Sequence, residues 1–505
     1  MVSKVISAAP IGYDAEIIEV EGDMSKGLPT LQIVGMGNKA IDEAKDRVRS
    51  AIKNSLLEFP SSKITINLAP AELPKDGTYF DVPIAISILI LSKQLSSSDI
   101  ENAAFVGELS LDGSIKAVRG ILNIVEKIRD SGVSTIFIPT GNAEQAGLIK
   151  GVELIPIKNL KHLFLHLKKE QLTPAYEPNL EPLRRPKETR KLINDVVGQD
   201  QAKRALAIAI AGRHNILLTG PPGTGKTMLA KAALSLLPDL TDEEIIEVSK
   251  VHGLVNNSST TVHNRPFRAP HHTASKISIV GGGPKALPGE VSLSHLGVLF
   301  LDEIPEYPRN VLESLRQPLE DKEITISRVN RTSTYPANFM LIATMNPCPC
   351  GYLGDETKEC TCTTTQILNY QRKLSGPLLD RIDIVIPVQR IKNKSLLDNH
   401  DKNYNIHEEL SYKIESSSKI QQKRYNRSNF YNSMIQLATV QDGLNLTDEA
   451  KKLLDMAAGK LDLSARSYLK AIRVSQTIAD MELSDKILPQ HISEALQYRY
   501  RDKSL

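Results

Sequence analysis

In the first third of the chain, apolar residues recur first with the spacing of a helix and then with the alternation of a strand. Between residues 41 and 52, apolar side chains recur at helical spacing. In KITINLA, residues 63–69, apolar and polar residues alternate, as in a strand with one buried face. The run Val82–Leu91 is almost entirely apolar and predicts a buried helix. Helices and strands in turn predict an α/β or α+β unit over residues 1–168.

The periodicity weakens over residues 169–190, where proline and charged residues concentrate. This composition predicts an interdomain linker. A second unit, residues 191–390, begins with an amphipathic helix at Gln201–Ala211, and the apolar strand Asn215–Thr219 follows it. The strand leads directly into a glycine-rich segment, so this unit is predicted to hold a phosphate-binding loop between a strand and a helix.

Beyond residue 390 the strand signal is weak. The polar stretch 392–428 is predicted to be helical in part and solvated. Three helices are predicted after it, at Thr447–Ala458, Ser464–Ala479 and Pro489–Tyr500. Residues 391–505 are therefore expected to form a helical unit.

Length and composition restrict the class of protein. The 505 residues are too many for one hydrophobic core, and the longest apolar run is about half the length of a membrane span. A net charge of +3 does not indicate a nucleic-acid binder, so DNA contact would need local basic surfaces. Because no secretory signal is evident and all four cysteines lie between residues 348 and 362, we expect a cytoplasmic protein without membrane contact.

The segment GPPGTGKT fits the pattern of a phosphate-binding loop in full. Its glycines let backbone amides face phosphates, Lys226 can reach the β- and γ-phosphates of ATP, and the Thr227 hydroxyl can bind Mg²⁺. A chance match is the alternative, which the preceding strand and following helix disfavour. The predicted nucleotide-binding residues are Gly220, Pro221, Pro222, Gly223, Thr224, Gly225, Lys226 and Thr227.

Two further strands are predicted to end in catalytic side chains. VLFLDE places Asp302 and Glu303 after a buried strand, where Asp302 would hold Mg²⁺ and Glu303 would polarise the attacking water. FMLIATMN ends at Asn346, whose amide would orient that water. The alternatives are solvated acids at the end of an ordinary strand and an asparagine that only caps its strand.

The cysteines form two C-x-C pairs, Cys348 with Cys350 and Cys360 with Cys362, separated by nine residues. Four thiolates suit tetrahedral Zn²⁺, although zinc ribbons normally use C-x-x-C spacing. Free buried thiols and a transient disulfide are the alternatives. Zinc is favoured because every cysteine of the chain lies here.

Five strings resemble one family: GPPGTGKT, RPFRAPHHTAS, GGGPKALPGEVSLSHLGVLFLDE, ATMNPCPCG and GPLLDRIDI. They are similar to the Mg-chelatase-like AAA+ proteins of the YifB/ComM family, whose wider relatives are the Mg-chelatase ATPase subunits and MCM helicases. The resemblance covers essentially the whole chain. It implies an α/β multidomain protein with a Lon-protease-like α+β domain, an AAA+ core with a parallel sheet and a helical lid. It also implies a hexameric homo-oligomer with ATP at subunit interfaces.

The resemblance assigns two arginines to the hydrolysis of ATP. Arg381, in LLDRID, corresponds to an arginine that reaches the neighbouring subunit's site, where it would stabilise charge on the phosphoryl group. An intrachain ion pair with Asp380 or Asp383 is its alternative. Arg466 corresponds to the sensor arginine of the lid, with Arg473 as a weaker candidate; a solvated helix face is the alternative for both.

The family also implies two inserted loops with basic residues. The first spans roughly Gly253–Leu296, and the second is a hairpin within Glu323–Pro336. His271 and His272 are adjacent, are expected to point apart and would make a poor metal pair; they would bond the loop to itself or face a pore. A solvated hairpin tip is the alternative to DNA contact by the second loop. The candidate DNA-contacting residues are Arg268, Lys276 and Lys285 in the first loop and Arg328 and Arg331 in the second.

The first unit resembles the Lon-type protease fold without its nucleophile. Tyr79 stands in PKDGTYFD where the proteases have serine, and Lys116 matches the partner lysine. A lysine without its nucleophile cannot form the catalytic dyad, so no proteolysis is expected. The domain would serve as a scaffold or a DNA-contacting collar.

These observations predict a cytoplasmic AAA+ ring ATPase that uses ATP and Mg²⁺ to move on DNA without sequence preference. The family resemblance points to branch migration during recombination or natural transformation. A chelatase-type motor and a chaperone-like ATPase that remodels a protein partner are the alternatives.

Overall fold

A computed structural model describes most of the chain. The described residues are 2–35, 38–71, 78–178, 193–255, 261–284, 286–328, 331–355, 358–390, 406–427, 429–436 and 446–499. None of the helices in these ranges is long and apolar enough to cross a membrane.

The first unit is a mixed seven-stranded sheet in the order β3-β4-β2-β1-β5-β8-β9, with a separate small hairpin, β6–β7. Its strands are β1 (Val2–Ile11), β2 (Asp14–Ser25), β3 (Thr30–Val34), β4 (Lys63–Ala69), β5 (Ala103–Phe105), β6 (Glu108–Leu109), β7 (Ile115–Lys116), β8 (Thr135–Pro139) and β9 (Glu153–Ile157). Its helices are α1 (Asn38–Asn54), α2 (Asp81–Leu91), α3 (Ile121–Asp130), α4 (Ala143–Ala146) and α5 (Leu160–Leu167).

The predicted helix and strand of this unit are confirmed, and they share one core. All 11 residues of α2 are buried, and the apolar face of β4 lies in the same cluster. The buried carboxylate of Asp81 accepts a hydrogen bond from Arg47 Nε at 2.8 Å. Burial raises the pKa of Asp81 to about 6, while the hydrogen bond from Arg47 opposes that shift.

The first part of the predicted linker is packed rather than free. Residues 169–178 form neither helix nor strand, but the Tyr176 amide donates to the Leu154 carbonyl at 2.8 Å. Its ring lies against Gly147, where an added Cβ would be 2.7 Å from Tyr176 Cε1. Residues 179–190 lie outside the described part of the chain.

The second unit is built on a parallel five-stranded sheet in the order β11-β14-β17-β10-β18. Its strands, with those of its two hairpins, are β10 (Ile216–Thr219), β11 (Phe267–Arg268), β12 (Gly281–Gly282), β13 (Leu287–Pro288), β14 (Val298–Leu301), β15 (Glu323–Arg328), β16 (Arg331–Pro336), β17 (Met340–Met345) and β18 (Ile384–Pro387). Its helices are α6 (Asp200–Gly212), α7 (Lys226–Leu236), α8 (Asp242–Val255), α9 (Lys276–Val280), α10 (Glu290–Leu293), α11 (Arg309–Ser314), α12 (Arg316–Asp321), α13 (Thr364–Gln371) and α14 (Gly376–Leu379).

The predicted helix before the glycine-rich loop and the three predicted strands are present. The strand that precedes the loop, β10, lies between β17 and β18. The strands β10, β14 and β17 are buried along almost their whole length, which explains their nearly continuous apolar sequences.

The predicted hairpin is β15–β16, and the first unit packs against its middle, where Ser333 pairs with Ile326. At Gly12, which has a φ of 63°, an added Cβ would lie 2.9 Å from Ser333 Cβ on β16. Nearby, the Gly120 amide donates to the Gly253 carbonyl at 2.9 Å. The hairpin is therefore braced by the first unit.

The C-terminal unit is helical, as predicted, with α15 (Ile406–Tyr425), α16 (Asp448–Leu461), α17 (Ala465–Met481) and α18 (Pro489–Gln497). The expectation that the stretch 392–428 is solvated is wrong for α15. Leu410 and Ile414 are buried in the core that contains α6, and Gln421 Nε2 donates to the Ala211 carbonyl at 2.9 Å. Residues 392–405 and 428 lie outside the described ranges.

A buried carboxylate holds this unit together. Asp480 of α17 is 1% exposed and accepts Arg424 NH1 of α15 at 2.8 Å. It also accepts Asn432 Nδ2 at 2.8 Å and Gln476 Nε2 at 2.9 Å. The carboxylate therefore accepts hydrogen bonds from a guanidinium and two amides that would otherwise have no access to water.

We expect Asp480→Leu to destabilise the packing of α15 on α17 by about 3–5 kcal/mol, because it leaves buried donors without an acceptor. Hydrogen exchange of the full-length protein should show both helices exchanging about a hundredfold faster or more. The exposed Asp485 is the control, and Asp485→Ala should leave exchange unchanged. Unchanged protection in Asp480→Leu would contradict the assignment.

Candidate active site

The glycine-rich loop, residues Gly220–Thr227, connects the end of β10 to the first turn of α7. Gly223 and Gly225 have φ angles of 76° and 87°, which residues with a Cβ rarely adopt. No atom lies within 4 Å of a Cβ added at Gly223, so there is open space above the loop. Backbone amides at the N-terminal end of a helix then suit the phosphates of ATP.

Lys226 is folded over the glycine-rich loop. Its Nζ donates to the carbonyls of Gly220 and Pro221 at 2.7 and 2.8 Å and to Asn346 Oδ1 at 3.1 Å. Burial lowers the pKa of Lys226, and the charges of Asp302 and Glu303 oppose that shift. The only full charge that the loop carries is therefore held beside the end of β17.

Asp302 lies where two hydroxyls meet its carboxylate. Thr227 Oγ1 donates to Oδ2 at 3.1 Å, and Thr344 Oγ1 donates to Oδ1 at 2.5 Å. A carboxylate and a hydroxyl are hard oxygen ligands that fit Mg²⁺ next to phosphates. No role in the site was predicted for Thr344, which is fully buried. The feature that could have indicated one is a hydroxyl within an otherwise apolar strand.

Glu303 turns back toward the site because its φ is 50°, a left-handed conformation. Its amide donates to Thr344 Oγ1 at 2.9 Å, which fixes this turn. Its Oε1 accepts Asn346 Nδ2 at 3.3 Å. Lys226, Asn346 and Glu303 thus form one chain of polar contacts at the carboxyl edge of the sheet, which can hold and activate a water molecule beside a phosphate.

The two candidate arginines meet at a common acid rather than at the glycine-rich loop. Arg381 forms an ion pair with Glu320 through NH2, and NH1 donates to the Pro377 carbonyl at 2.7 Å. Arg466 NH2 lies 3.8 Å from the same carboxylate. Among the described hydrogen bonds and ion pairs, none joins either arginine to the glycine-rich loop of its own chain.

Asp383, an alternative partner for Arg381, and Arg473, the alternative to Arg466, both have other contacts. Asp383 is occupied by His214 Nδ1 at 3.7 Å and by the Asn215 amide at 3.1 Å, so the alternative pair between Asp383 and Arg381 is not formed. Arg473 Nε donates to the Ile435 carbonyl at 2.7 Å and thereby serves the packing of the lid.

Two of the candidate polar groups in the first inserted loop are bonded within the loop. Arg268 forms a bidentate ion pair with Glu290, at 2.5 and 2.7 Å, which neutralises it as a candidate phosphate contact. The rings of His271 and His272 are 4.1 Å apart, so the expectation that they point apart is wrong; a turn, not a helix or strand, carries them. His271 Nδ1 lies 2.9 Å from Thr273 Oγ1, and the loop therefore does bond to itself.

The remaining basic candidates lie at the surface or at the limits of the described chain. Lys276 is exposed at the start of α9. Arg328 pairs with Arg331 as the last register pair of the hairpin, next to its tip. Residues 329–330 and Lys285 lie outside the described ranges.

The cysteines converge in the connection between β17 and α13. Their four Sγ atoms lie within 4.8 Å of one another. Cys348 Sγ is 3.4 Å from Cys350 Sγ and 3.6 Å from Cys360 Sγ, and the Cys350 amide donates to Cys362 Sγ at 3.4 Å. Four sulfurs on a tetrahedron around Zn²⁺ would be about 3.8 Å apart, whereas a disulfide needs about 2.05 Å. The arrangement fits a metal better than a disulfide.

Tyr79 and Lys116, the positions that match the protease dyad, have different environments. The ring of Tyr79 packs between the two apolar cores of the first unit, and burial raises the pKa of its hydroxyl. Lys116 is exposed on β7. A buried phenol of raised pKa is not an activated nucleophile.

Comparison with known proteins covers the chain in three segments. Residues 192–396 match the family described as magnesium chelatase, subunit ChlI; residues 20–142 match subunit ChlI of Mg-chelatase; and residues 407–499 match the C-terminal part of that subunit. At full length, the chain is 41% identical to the competence protein ComM of Haemophilus influenzae over 502 residues, covering 98% of this chain and 97% of ComM.

Two other relatives differ widely in their sequence identity to this chain. YifB of Escherichia coli is 40% identical over 524 residues, with 100% of this chain and 98% of YifB covered. The DNA replication licensing factor mcm2 of Schizosaccharomyces pombe is 22% identical over 338 residues, which is 60% of this chain and 37% of mcm2. The similarity to ComM and YifB includes the first unit, and the similarity to mcm2 is distant.

We expect Lys226→Ala to abolish ATP binding or turnover, and Glu303→Gln to retain ATP while slowing hydrolysis by about a hundredfold or more. Calorimetric titration with ATP and phosphate release would measure the two steps separately. Glu306→Gln is the control, because Glu306 is a nearby acid that is exposed and paired with Lys373. Normal turnover in both site variants would contradict the assignment.

Proposed function

This chain belongs to the YifB/ComM family of Mg-chelatase-like AAA+ proteins, and we propose that it is an ATP-driven motor that acts on DNA as a homo-hexameric ring. One observation carries the ATPase part of this proposal: Lys226, Asn346 and Glu303 are in contact at the sheet edge where Thr227 meets Asp302. These are the groups that phosphoryl transfer to water requires.

Each of these residues has a defined task in the proposed hydrolysis. Lys226 leaves the carbonyls of Gly220 and Pro221 to bind phosphate oxygens, and Thr227 and Asp302 hold Mg²⁺. The metal supplies positive charge next to the phosphates. Glu303 orients and polarises the attacking water, and Asn346 holds the carboxylate of Glu303 in place.

The positions of the two arginines support a ring. Arg381 and Arg466 share the exposed Glu320, with Arg466 exposed and the Arg381 side chain 13% exposed, and neither contacts its own glycine-rich loop among the described residues. In a ring, this surface faces the neighbouring subunit, so both arginines would stabilise the charge of the nucleotide that the neighbour holds. Glu320 would release them when that nucleotide attracts them more strongly.

The proposal that DNA is the substrate rests on relatives and on the placement of charge. ComM is named a competence protein, and the more distant mcm2 is named a DNA replication licensing factor. With a net charge of +3, the chain as a whole is not strongly basic, so the arginine pair near the tip of β15–β16 would supply the local charge. Lys276 would add to it, whereas Arg268 is neutralised by Glu290.

The family description favours one other candidate, a chelatase-type or chaperone-like ATPase that remodels a protein partner. Such an ATPase would need the same nucleotide site but not the DNA. Proteolysis is not proposed, because Tyr79 replaces the nucleophile. We place the protein in the cytoplasm, where the four cysteines stay reduced and bind Zn²⁺ as the second metal of the chain.

If Arg381 acts on the neighbouring subunit, mixing Arg381→Ala with Lys226→Ala should restore ATPase activity. Under random mixing, roughly one interface in four then joins an intact loop to an intact arginine. The control replaces Lys226→Ala by the double variant Lys226→Ala/Arg381→Ala, which offers no arginine and should restore nothing. Equal activity in both mixtures, with rings verified by light scattering, would leave Arg381 as a structural ion pair.

We expect four-way-junction DNA to accelerate ATP hydrolysis and to be separated into duplexes with ATP and Mg²⁺. Replacing Arg328 and Arg331 by alanine should weaken junction binding, with basal ATPase retained. The slope of the logarithm of the DNA-binding constant against the logarithm of the salt concentration should become shallower by about two per engaged subunit.

The matched control, Lys451→Ala/Lys452→Ala, removes the same charge from an exposed part of the lid and should bind DNA normally. If the wild-type protein neither binds junction DNA at low salt nor responds to it, the protein-remodelling candidate replaces the DNA motor.

A further inference from the structure

The connection between β17 and α13 carries both a residue of the proposed nucleotide site and the four cysteines. It begins at Asn346, which contacts Lys226 and Glu303, and Cys348 follows two residues later. Near its other end is Cys362, which immediately precedes Thr363, the N-cap of α13. The cysteine cluster, Cys348 with Cys350, Cys360 and Cys362, therefore shares its backbone with the catalytic amide.

The cysteine cluster also lies against the glycine-rich loop. At Gly351, whose φ is 85°, an added Cβ would be 2.8 Å from Pro222 Cδ and 3.9 Å from Asn346 Cγ. Arg390 spans the same contact, because its NH2 donates to the Pro222 carbonyl at 3.5 Å and lies 3.7 Å from the buried carboxylate of Asp355. A change in the fold of this connection would therefore move the glycine-rich loop.

On its other side the connection is fixed to α13. Gln371 Nε2 donates to the Pro347 carbonyl at 3.1 Å. Thr363 Oγ1 accepts the Gln366 amide at 3.3 Å and so caps the helix immediately after Cys362. Both ends of the connection are thus anchored, and only its middle depends on the cysteine cluster.

The described part of the middle of the connection has little apolar packing of its own. Of the four cysteines only Cys348 is fully buried, and the described residues 349–355 and 358–361 form neither helix nor strand. Apart from Cys348, none of these residues belongs to an apolar core. A loop of this kind is ordinarily ordered by a bound metal, because sulfur–metal bonds replace the missing hydrophobic packing.

We propose that the cysteine cluster is a zinc-dependent brace of the nucleotide site: Zn²⁺ on the four sulfurs fixes Asn346 and Pro222, so that ATP binding requires the metal. The inference rests on the proposed ATPase and Zn²⁺ binding and adds a dependence of the first on the second. Zinc has no part in the chemistry of hydrolysis, and it acts through the backbone between Asn346 and Cys348.

The full-length protein, purified without chelator, should contain about one Zn²⁺ per chain by elemental analysis. Removal of this metal with a chelator, followed by gel filtration, should weaken ATP binding at least tenfold by calorimetry and increase hydrogen exchange in residues 220–227. Addition of Zn²⁺ should restore both. Reversal in the same sample excludes irreversible unfolding, and cobalt(II) should give the visible absorption of tetrahedral thiolate ligation.

Variants test the same dependence without chelator. Cys362 is the ligand farthest along the chain from Asn346. The variant Cys362→Ser should lose its zinc, and its affinity for ATP should fall at least tenfold. Thr361→Ala is the matched control, because this exposed residue lies between two ligands and bonds Cys350 through its backbone, which the substitution keeps. Lys226→Ala should lose ATP binding while keeping its full zinc content.

The outcomes separate the two proposals. Metal-free protein with four titratable thiols, or equal ATP affinity with and without zinc, would overturn the brace and leave the ATPase intact. Failure of the zinc-loaded wild type to bind ATP would overturn the ATPase, and the brace with it.

Discussion

The parallel pairing of β14, β17 and β10 brings the carboxyl ends of three strands to one sheet edge, and the polar network there depends on it. Thr344 stands at the centre, because its hydroxyl donates to Asp302 and accepts the Glu303 amide. In a buried position such a network has few alternative arrangements, since any broken contact leaves a polar group without water. Pairing of the strands thus fixes the site before any ligand binds.

The opposite end of β10 connects the same sheet to the arginine that is proposed to act on the neighbour. Asn215 Oδ1 accepts the Leu341 amide at 2.9 Å, and its Nδ2 donates to the Arg381 carbonyl at 2.8 Å. One asparagine therefore joins the start of β17 to the segment that carries Arg381. A displacement of β10 by the nucleotide would reach that segment through rigid hydrogen bonds rather than through a flexible loop.

Local patterns in the sequence predicted the strands and the glycine-rich loop, because buried parallel strands are apolar runs and the loop needs fixed residue types. The pairing of Arg381 with Glu320 was beyond such patterns, since 61 residues separate the two. The burial of α15 was missed because Ser417 and Gln421, two of its buried positions, are polar and are satisfied by hydrogen bonds. Likewise, the contact between the rings of His271 and His272 depends on a turn that adjacent residues do not reveal.

In the proposed ring, Glu320 would connect the neighbour's nucleotide, through Arg381 and Arg466, to the hairpin, which would give the motor a mechanical path. The residue lies on α12, which ends at Asp321, and β15 begins at Glu323. A change in the partners of Glu320 would therefore act three residues before the first residue of β15. On the far side, Gly12 of the first unit holds β16 at Ser333. With one strand driven from α12 and the other braced by the first unit, motion would concentrate at the tip, where Arg328 and Arg331 pair.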